Sequence, residues 1–203
     1  MHNPKIIFFG TPDYGVIVLD ALLNAGMKPA LVVTMPDKPA GKKLEMTPPP
    51  VKVWAQNNGV DFIQPESLKD ETVITEIKDK KFDVGVVIAY GKIIPQTIID
   101  VPLHGILNIH GSLLPKFRGA SPLENAILAD EKITGPTIML IDNEMDHGPI
   151  LAQETINTEP WPLTASELGN RVVKAGAELL IKTIPLWIEK KITPQEQNHT
   201  QAS

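Results

Sequence analysis

The sequence predicts an open α/β sheet, mostly parallel, with helices on both faces and an antiparallel addition near its C-terminal part. Three observations carry that prediction. Through the first half, short apolar runs alternate with segments of helical spacing, the pattern of strands joined by crossover helices. Gly, Pro and Asn punctuate the boundaries between them. Beyond residue 136, two strand-like runs follow one another with no helix between, which favours an antiparallel pair.

Residues 5–9 read as a buried strand closing on Gly10. Val16, Leu19, Leu22 and Leu23 have helical spacing, so 14–23 is a helix, stopped at Asn24-Ala25-Gly26. A second strand is expected over 31–34 and a helix over 51–57, ended by Asn58-Gly59. Residues 61–63 form a brief strand and 71–78 a polar helix. The most continuous apolar run, 84–89, is the natural central strand. A short helix over 95–99 starts at Pro95, where a missing N–H costs nothing. Strands follow over 106–109, 137–140 and 150–156. Thr164 and Glu167 have capping-box spacing and open a long helix through Leu168, Val172, Ala175, Leu179 and Leu180. Pro185 should kink or interrupt that helix near its end. Residues 35–50, rich in lysine and proline, suit neither helix nor sheet and are expected to be an exposed loop.

Bulk properties narrow the function. A chain of 203 residues suits one domain with a substantial core. Net charge is −5, so contact with nucleic acid would need a local basic patch. The absence of cysteine excludes disulfides, thiolate metal sites and a cysteine nucleophile. MHNPKIIFFG leads straight into a strand, with too few apolar residues for a signal peptide or a membrane span. A cytoplasmic protein is expected.

In an open α/β sheet, ligands bind beyond the carboxyl ends of the strands. Gly10-Thr11-Pro12, Tyr90-Gly91 and the pair Asn108 and His110 all fall there. Residues two apart on a strand share a face, so Asn108 and His110 point the same way. An amide beside an imidazole suits an oxygen that becomes negative during reaction. A carboxylate nearby would orient the imidazole and favour its protonated form. Asp142 and Asp146 are the candidates, and spacing does not choose between them. His2, His104 and His199 have no such company and are expected in surface or structural roles. No metal site is expected, because His110 and His147 lie in separate loops without a ligand pattern. Gly10-Thr11-Pro12-Asp13-Tyr14-Gly15 lacks G-x-G-x-x-G, and proline at the second glycine obstructs approach to a pyrophosphate. A dinucleotide site is therefore set aside.

Six segments then point to one family: FFGTPDYG at 8–15, MPDKPAG at 35–41, TPPPVKVWA at 47–55, AYGKIIP at 89–95, NIHGSLLPKFRGASP at 108–122 and IDNEMDHGPIL at 141–151. In this order they closely resemble the N-terminal domain of methionyl-tRNA formyltransferases, over almost the whole chain. The resemblance implies a Rossmann-like formyltransferase fold. It implies transfer of the formyl group of 10-formyltetrahydrofolate, a co-substrate, to the α-amine of initiator methionyl-tRNA, without a metal. Asn108, His110 and Asp146 match the catalytic set. Ser112, Leu113, Leu114 and Pro115, with Ile88, Tyr90, Gly91 and Asp142, match the folate site. Lys38, Lys42, Lys43 and Arg118 match the tRNA-contacting positions, the first three in the 35–50 loop. A Gly-Arg pair usual there is Gly41-Lys42 here, which loses a bidentate guanidinium.

The family adds a C-terminal β-barrel domain that binds tRNA. On this reading residues 1–203 are a catalytic domain without it, the linker begins near 195–203, and the domain is monomeric. Within the family, a sugar-nucleotide N-formyltransferase is the main alternative. A glycinamide ribonucleotide formyltransferase usually has a glycine-rich phosphate loop after its first strand, which is absent here. A folate sensor without turnover would not need Asn108, His110 and Asp146 together.

Overall fold

The computed structural model describes residues 3–42 and 44–203, and the chain divides into two compact units, 1–105 and 106–203. In the first unit the elements run β1 (Ile6–Gly10), α1 (Asp13–Asn24), β2 (Leu31–Val33), β3 (Lys38–Ala40), β4 (Glu45–Thr47), α2 (Pro50–Asn57), β5 (Phe62–Ile63), α3 (Glu71–Lys80), β6 (Val84–Ile88) and α4 (Gln96–Ile99). β1 pairs in parallel with β2 on one side and β6 on the other, and β2 pairs in parallel with β5. β1 and β6 are buried along their full length, which is why both read as continuous apolar runs. α1 and α2 are tied by Trp54, whose Nε1–H donates to Asp20 at 2.6 Å.

The segment expected as an irregular loop is instead a two-stranded antiparallel hairpin, with Lys38 opposite Thr47 and Pro39 opposite Met46. Both strands of a ribbon are edges, so Pro39, which has no N–H to donate, is tolerated there. The turn is closed by the Leu44 N–H on the Gly41 carbonyl at 3.2 Å. Every side chain of β3 and β4 is exposed. Lys43, one of the matched lysines, lies outside the described residues.

The second unit contains β7 (Ile106–His110), α5 (Pro122–Leu128), β8 (Thr137–Leu140), β9 (Ile150–Gln153) and α6 (Ala165–Ile188). β8 pairs antiparallel with both β7 and β9, and the pairing with β9 is the one expected from two runs without an intervening helix. β9 ends at Gln153, short of 156, and α5 is a helix the sequence pattern did not signal. The capping box is present: the Glu167 N–H donates to Thr164 Oγ1 at 3.2 Å, and the Thr164 N–H to Glu167 Oε2 at 2.9 Å. α6 buries a stripe at helical spacing that includes Leu168, Val172, Gly176, Leu180 and Ile184. Gly176 allows close approach to β7, for a Cβ there would lie 2.7 Å from Ile109 Cγ2. Pro185 lies inside this helix without ending it, and its own carbonyl accepts the Glu189 N–H at 3.0 Å.

Candidate active site

β7 does more than end beside the polar pair: Asn108 and His110 are strand residues, opposite Met139 and Thr137 of β8. His110 is buried and Asn108 half-buried. Both reach the same acid. Asn108 Nδ2 donates to Asp146 Oδ1 at 3.3 Å, and His110 Nδ1 lies 3.4 Å from that oxygen. Asp142, the other candidate, faces His147 Nδ1 at 2.8 Å instead. The alternation of a strand thus brings Asn108 and His110 to one face, and the turn after β8 supplies the carboxylate.

The remaining valences at this cluster are filled by backbone. His110 Nε2 lies 2.9 Å from the Phe117 carbonyl. A carbonyl only accepts, so Nε2 carries a hydrogen. The Gly119 N–H donates to Asp146 Oδ2 at 2.8 Å. Asp146 (φ 50°) and Phe117 (φ 56°) both hold left-handed backbone, uncommon for residues with a side chain. Gly119 has φ 99°, which glycine alone takes without strain. Burial pushes the Asp146 carboxyl up. The hydrogen bond and charge of His110, the Gly119 N–H and the Arg118 charge outweigh it and hold the group below its ordinary value.

The loop after β7 is anchored by a residue that sequence reasoning passed over. Thr137 Oγ1 donates to the Ser112 carbonyl at 2.6 Å and accepts from the Leu114 N–H at 3.1 Å. Gln153 Nε2 donates to Thr137 Oγ1 at 2.8 Å and to the Leu114 carbonyl at 2.9 Å. Ser112 and Leu114 are consequently buried, and Leu113 and Pro115 are the half-buried members of this run. In the first unit, Ile88 and Tyr90 are buried and Gly91 is exposed with φ 92°. The Tyr90 hydroxyl is buried with no hydrogen-bond partner among the described residues, and burial pushes its pKa up to about 12.

The structure gives partners to Arg118, to residues 195–197 and to His199. Arg118 is not an open cation: its Nη2 donates to Gln197 Oε1 at 2.7 Å and lies 2.9 Å from His199 Nδ1. Residues 195–197, near the expected start of a linker, are bonded into the second unit. Gln195 exchanges two 2.8 Å backbone bonds with Ile150, and Gln197 is buried. His199 stacks on His147 with centroids 4.2 Å apart, a contact that fits the structural role expected for it. Lys38 and Lys42 are exposed on the hairpin. Among the described residues no group of three or more His, Asp or Glu is gathered to hold a metal ion. No described helix is long and apolar enough to cross a membrane.

The cluster of half-buried Asn108, buried His110 and half-buried Asp146 thus lies on one strand and the turn after its neighbour. Residues 4–184 match the formyl transferase family, and the chain belongs to it. The methionyl-tRNA formyltransferase of Chloroflexus aurantiacus is 43% identical over 199 residues, 98% of this chain and 64% of that protein. That of Thermodesulfovibrio yellowstonii is 45% identical over 192 residues, 95% of this chain and 62% of the relative. This chain therefore spans less than two thirds of the length of these relatives.

Among solved structures, a phosphoribosylglycinamide formyltransferase from Bacillus halodurans aligns with a TM-score of 0.73 at 26% identity, covering 92% of this chain and 96% of that one. An N-formyltransferase from Helicobacter canadensis, solved with folinic acid and dTDP-3-aminofucose, aligns with a TM-score of 0.67 at 22% identity, covering 98% of this chain and 70% of that one. These likenesses show the mostly parallel α/β fold of the formyltransferases.

Proposed function

We propose that this chain transfers the formyl group of 10-formyltetrahydrofolate to the α-amine of methionyl-initiator-tRNA, as the catalytic portion of a methionyl-tRNA formyltransferase acting in the cytoplasm. The observation that carries the proposal is the convergence of Asn108 and His110 on one ionised carboxylate, Asp146. Relatives of that name at 43–45% identity support the choice of acceptor.

The folate supplies a formyl group already activated on nitrogen; the chain's own groups position it and manage charge and protons. Contacts of 3.3 and 3.4 Å are long for charge-assisted bonds, so neither donor is locked onto Asp146. The Asn108 amide and, in the imidazolium form, the His110 Nδ1–H can each donate to an oxygen that becomes negative as the amine adds to the formyl carbon. One well-placed donor of this kind is worth about 3–4 kcal/mol in the transition state. The short bond from Nε2 to Phe117 fixes the His110 ring and leaves Nδ1 as the working nitrogen. Asp146 orients that nitrogen and takes the amine proton, directly or through one water. Collapse of the tetrahedral adduct then breaks the bond from the formyl carbon to N10, and the tetrahydrofolate leaves with the proton returned by Asp146, so no covalent intermediate on the protein is required.

The fit to a folate comes from shape more than from side-chain donors. Ser112 and Leu114 hold the loop from within, and half-buried Leu113 and Pro115 are what it offers a flat apolar ring. Tyr90, Gly91 and Asp142 are further candidate folate residues by the resemblance alone. For the tRNA, exposed Lys38 and Lys42 would meet phosphates. The test is formyl transfer by this chain, as a monomer, to methionyl-tRNA and to amino-sugar nucleotides in parallel. Transfer to the tRNA is expected, and transfer to the sugars alone would reassign the acceptor.

A further inference from the structure

The C-terminal segment is bonded into the same cluster, and Gln197 makes four of those bonds. Gln197 is 4% exposed. Its Nε2 donates to the Asp146 carbonyl at 2.9 Å and to the Gly148 carbonyl at 2.8 Å. Its Oε1 accepts from Arg118 Nε at 3.2 Å and Nη2 at 2.7 Å. Both hydrogens of the amide and its oxygen are thus used, and every bond leads to the turn or the loop that builds the cluster.

Gln197 is bonded to the backbone of that turn on both sides of His147. Asp146 sits at positive φ, a conformation that persists only where the surroundings impose it. On its far side Gly148 is pressed against β8, for a Cβ there would lie 2.0 Å from the Leu140 carbonyl. Gln197 ties the two carbonyls on either side of His147 and so sets the direction in which the Asp146 carboxylate leaves the turn. Its grip on Arg118 also aligns the residue next to Gly119, whose N–H holds Asp146 Oδ2. A second contact repeats the logic. The Phe117 N–H donates to Ser203 Oγ at 3.0 Å, and the Phe117 carbonyl holds His110 Nε2. Residues 195–203 therefore touch the supports of both Asp146 and His110.

We infer that Gln197 is a positioning residue of the formyl-transfer site, holding the Asp146 carboxylate on Asn108 and His110 through the 146–148 turn and Arg118. The role in turnover rests on the proposed function; the geometric role does not. An error of about 1 Å in such a group can cost about 100-fold in rate.

Two variants test it in this chain. Gln197→Leu removes all four bonds. Gln197→Glu keeps the side-chain length and an acceptor for Arg118 but cannot donate to the two carbonyls when ionised, which protects the test if the leucine variant does not fold. Two readouts are needed, titration of the Asp146 carboxyl by 13C NMR and formyl transfer to methionyl-tRNA. The expected result is that the Asp146 midpoint rises toward the ordinary carboxylate value. At the same time kcat should fall about 10- to 100-fold, with the KM for 10-formyltetrahydrofolate changed less than about twofold. An unmoved Asp146 midpoint in a folded Gln197→Glu protein overturns the inference. So does a loss of rate that appears wholly in KM. If the wild-type chain transferred formyl to no amine, the functional reading would fall, while the carboxyl titration would still decide what Gln197 does.

Discussion

The hairpin at 38–47 and the loop at 111–119 are made from the same residue types, proline, glycine and lysine or arginine, yet they are built in opposite ways. In the hairpin every strand side chain is exposed, and the two strands pair with each other. In the loop after β7, Ser112 and Leu114 are buried, and its polar groups are bonded to Thr137, Gln153, Asp146 and Ser203. Even its cations are engaged, Lys116 with Glu131 at 2.6 Å and Arg118 with Gln197. The contrast shows what separates a preorganised site from a surface arm: whether the loop's backbone donors and acceptors are satisfied by the rest of the fold.

The sharpest way to break the comparison is to remove the carboxylate on which the ordered loop converges. Asp146→Asn keeps size and an acceptor for the Gly119 N–H, so the fold and folate binding should persist. Turnover should fall at least about 100-fold, the scale of a lost acid–base group. A variant transferring formyl at near wild-type rate would remove Asp146 from the mechanism.

The next effect concerns the anchor. Thr137 is fully buried and takes part in three hydrogen bonds. Thr137→Val preserves shape but strands the Leu114 N–H and the Ser112 carbonyl, at a cost of about 1–3 kcal/mol. Urea denaturation should show this as a lower midpoint with an unchanged slope. No loss of stability would mean that the loop is held by its covalent geometry alone.

How legible all this was depends on the range of the interaction. β1 and β6 announced themselves because strands buried on both faces need unbroken apolar runs, and α6 because Thr164 and Glu167 sit three residues apart. The shared face of Asn108 and His110 followed from the period of a strand. The choice of Asp146 over Asp142 did not, since both lie in one turn and only the fold directs one of them to His110. Thr137 and Gln197 left no signal at all. They bond to backbone carbonyls and amides far away in sequence, and a carbonyl has no residue type. The hairpin was missed for a different reason, because prolines that would break a central strand are harmless on an isolated ribbon.

A smaller effect is expected in acid. The folded pKa of Asp146 is depressed, so its ionised form adds stability that is fully present above its ordinary value of 3.8. That stability is lost as pH falls through the lower folded value. The difference in stability between wild type and Asp146→Asn should therefore shrink as pH drops below about 3.8, since the other carboxyls contribute equally to both proteins. A difference that stayed constant to the lowest pH at which both remain folded would mean that the carboxylate is not held by His110, Gly119 and Arg118.

The smallest effect on stability should come from the other side of the comparison. Lys38 and Lys42 are exposed on the hairpin, and Lys43 follows in sequence. Replacing all three with glutamine should change the unfolding free energy by less than about 0.5 kcal/mol, as for most exposed positions. The same change should weaken binding of methionyl-tRNA and flatten its dependence on salt, because a phosphate that no lysine neutralises keeps its counterion. Arg118→Gln should behave in the opposite sense, disturbing the Asp146 turn through Gln197 while leaving the salt slope nearly as it was. Binding of labelled methionyl-tRNA across a salt series, with thermal unfolding of each variant, distinguishes the two. If the lysine variant kept its salt slope and the Arg118 variant did not, the basic surface would belong to the ordered loop, and the hairpin would be only a connection.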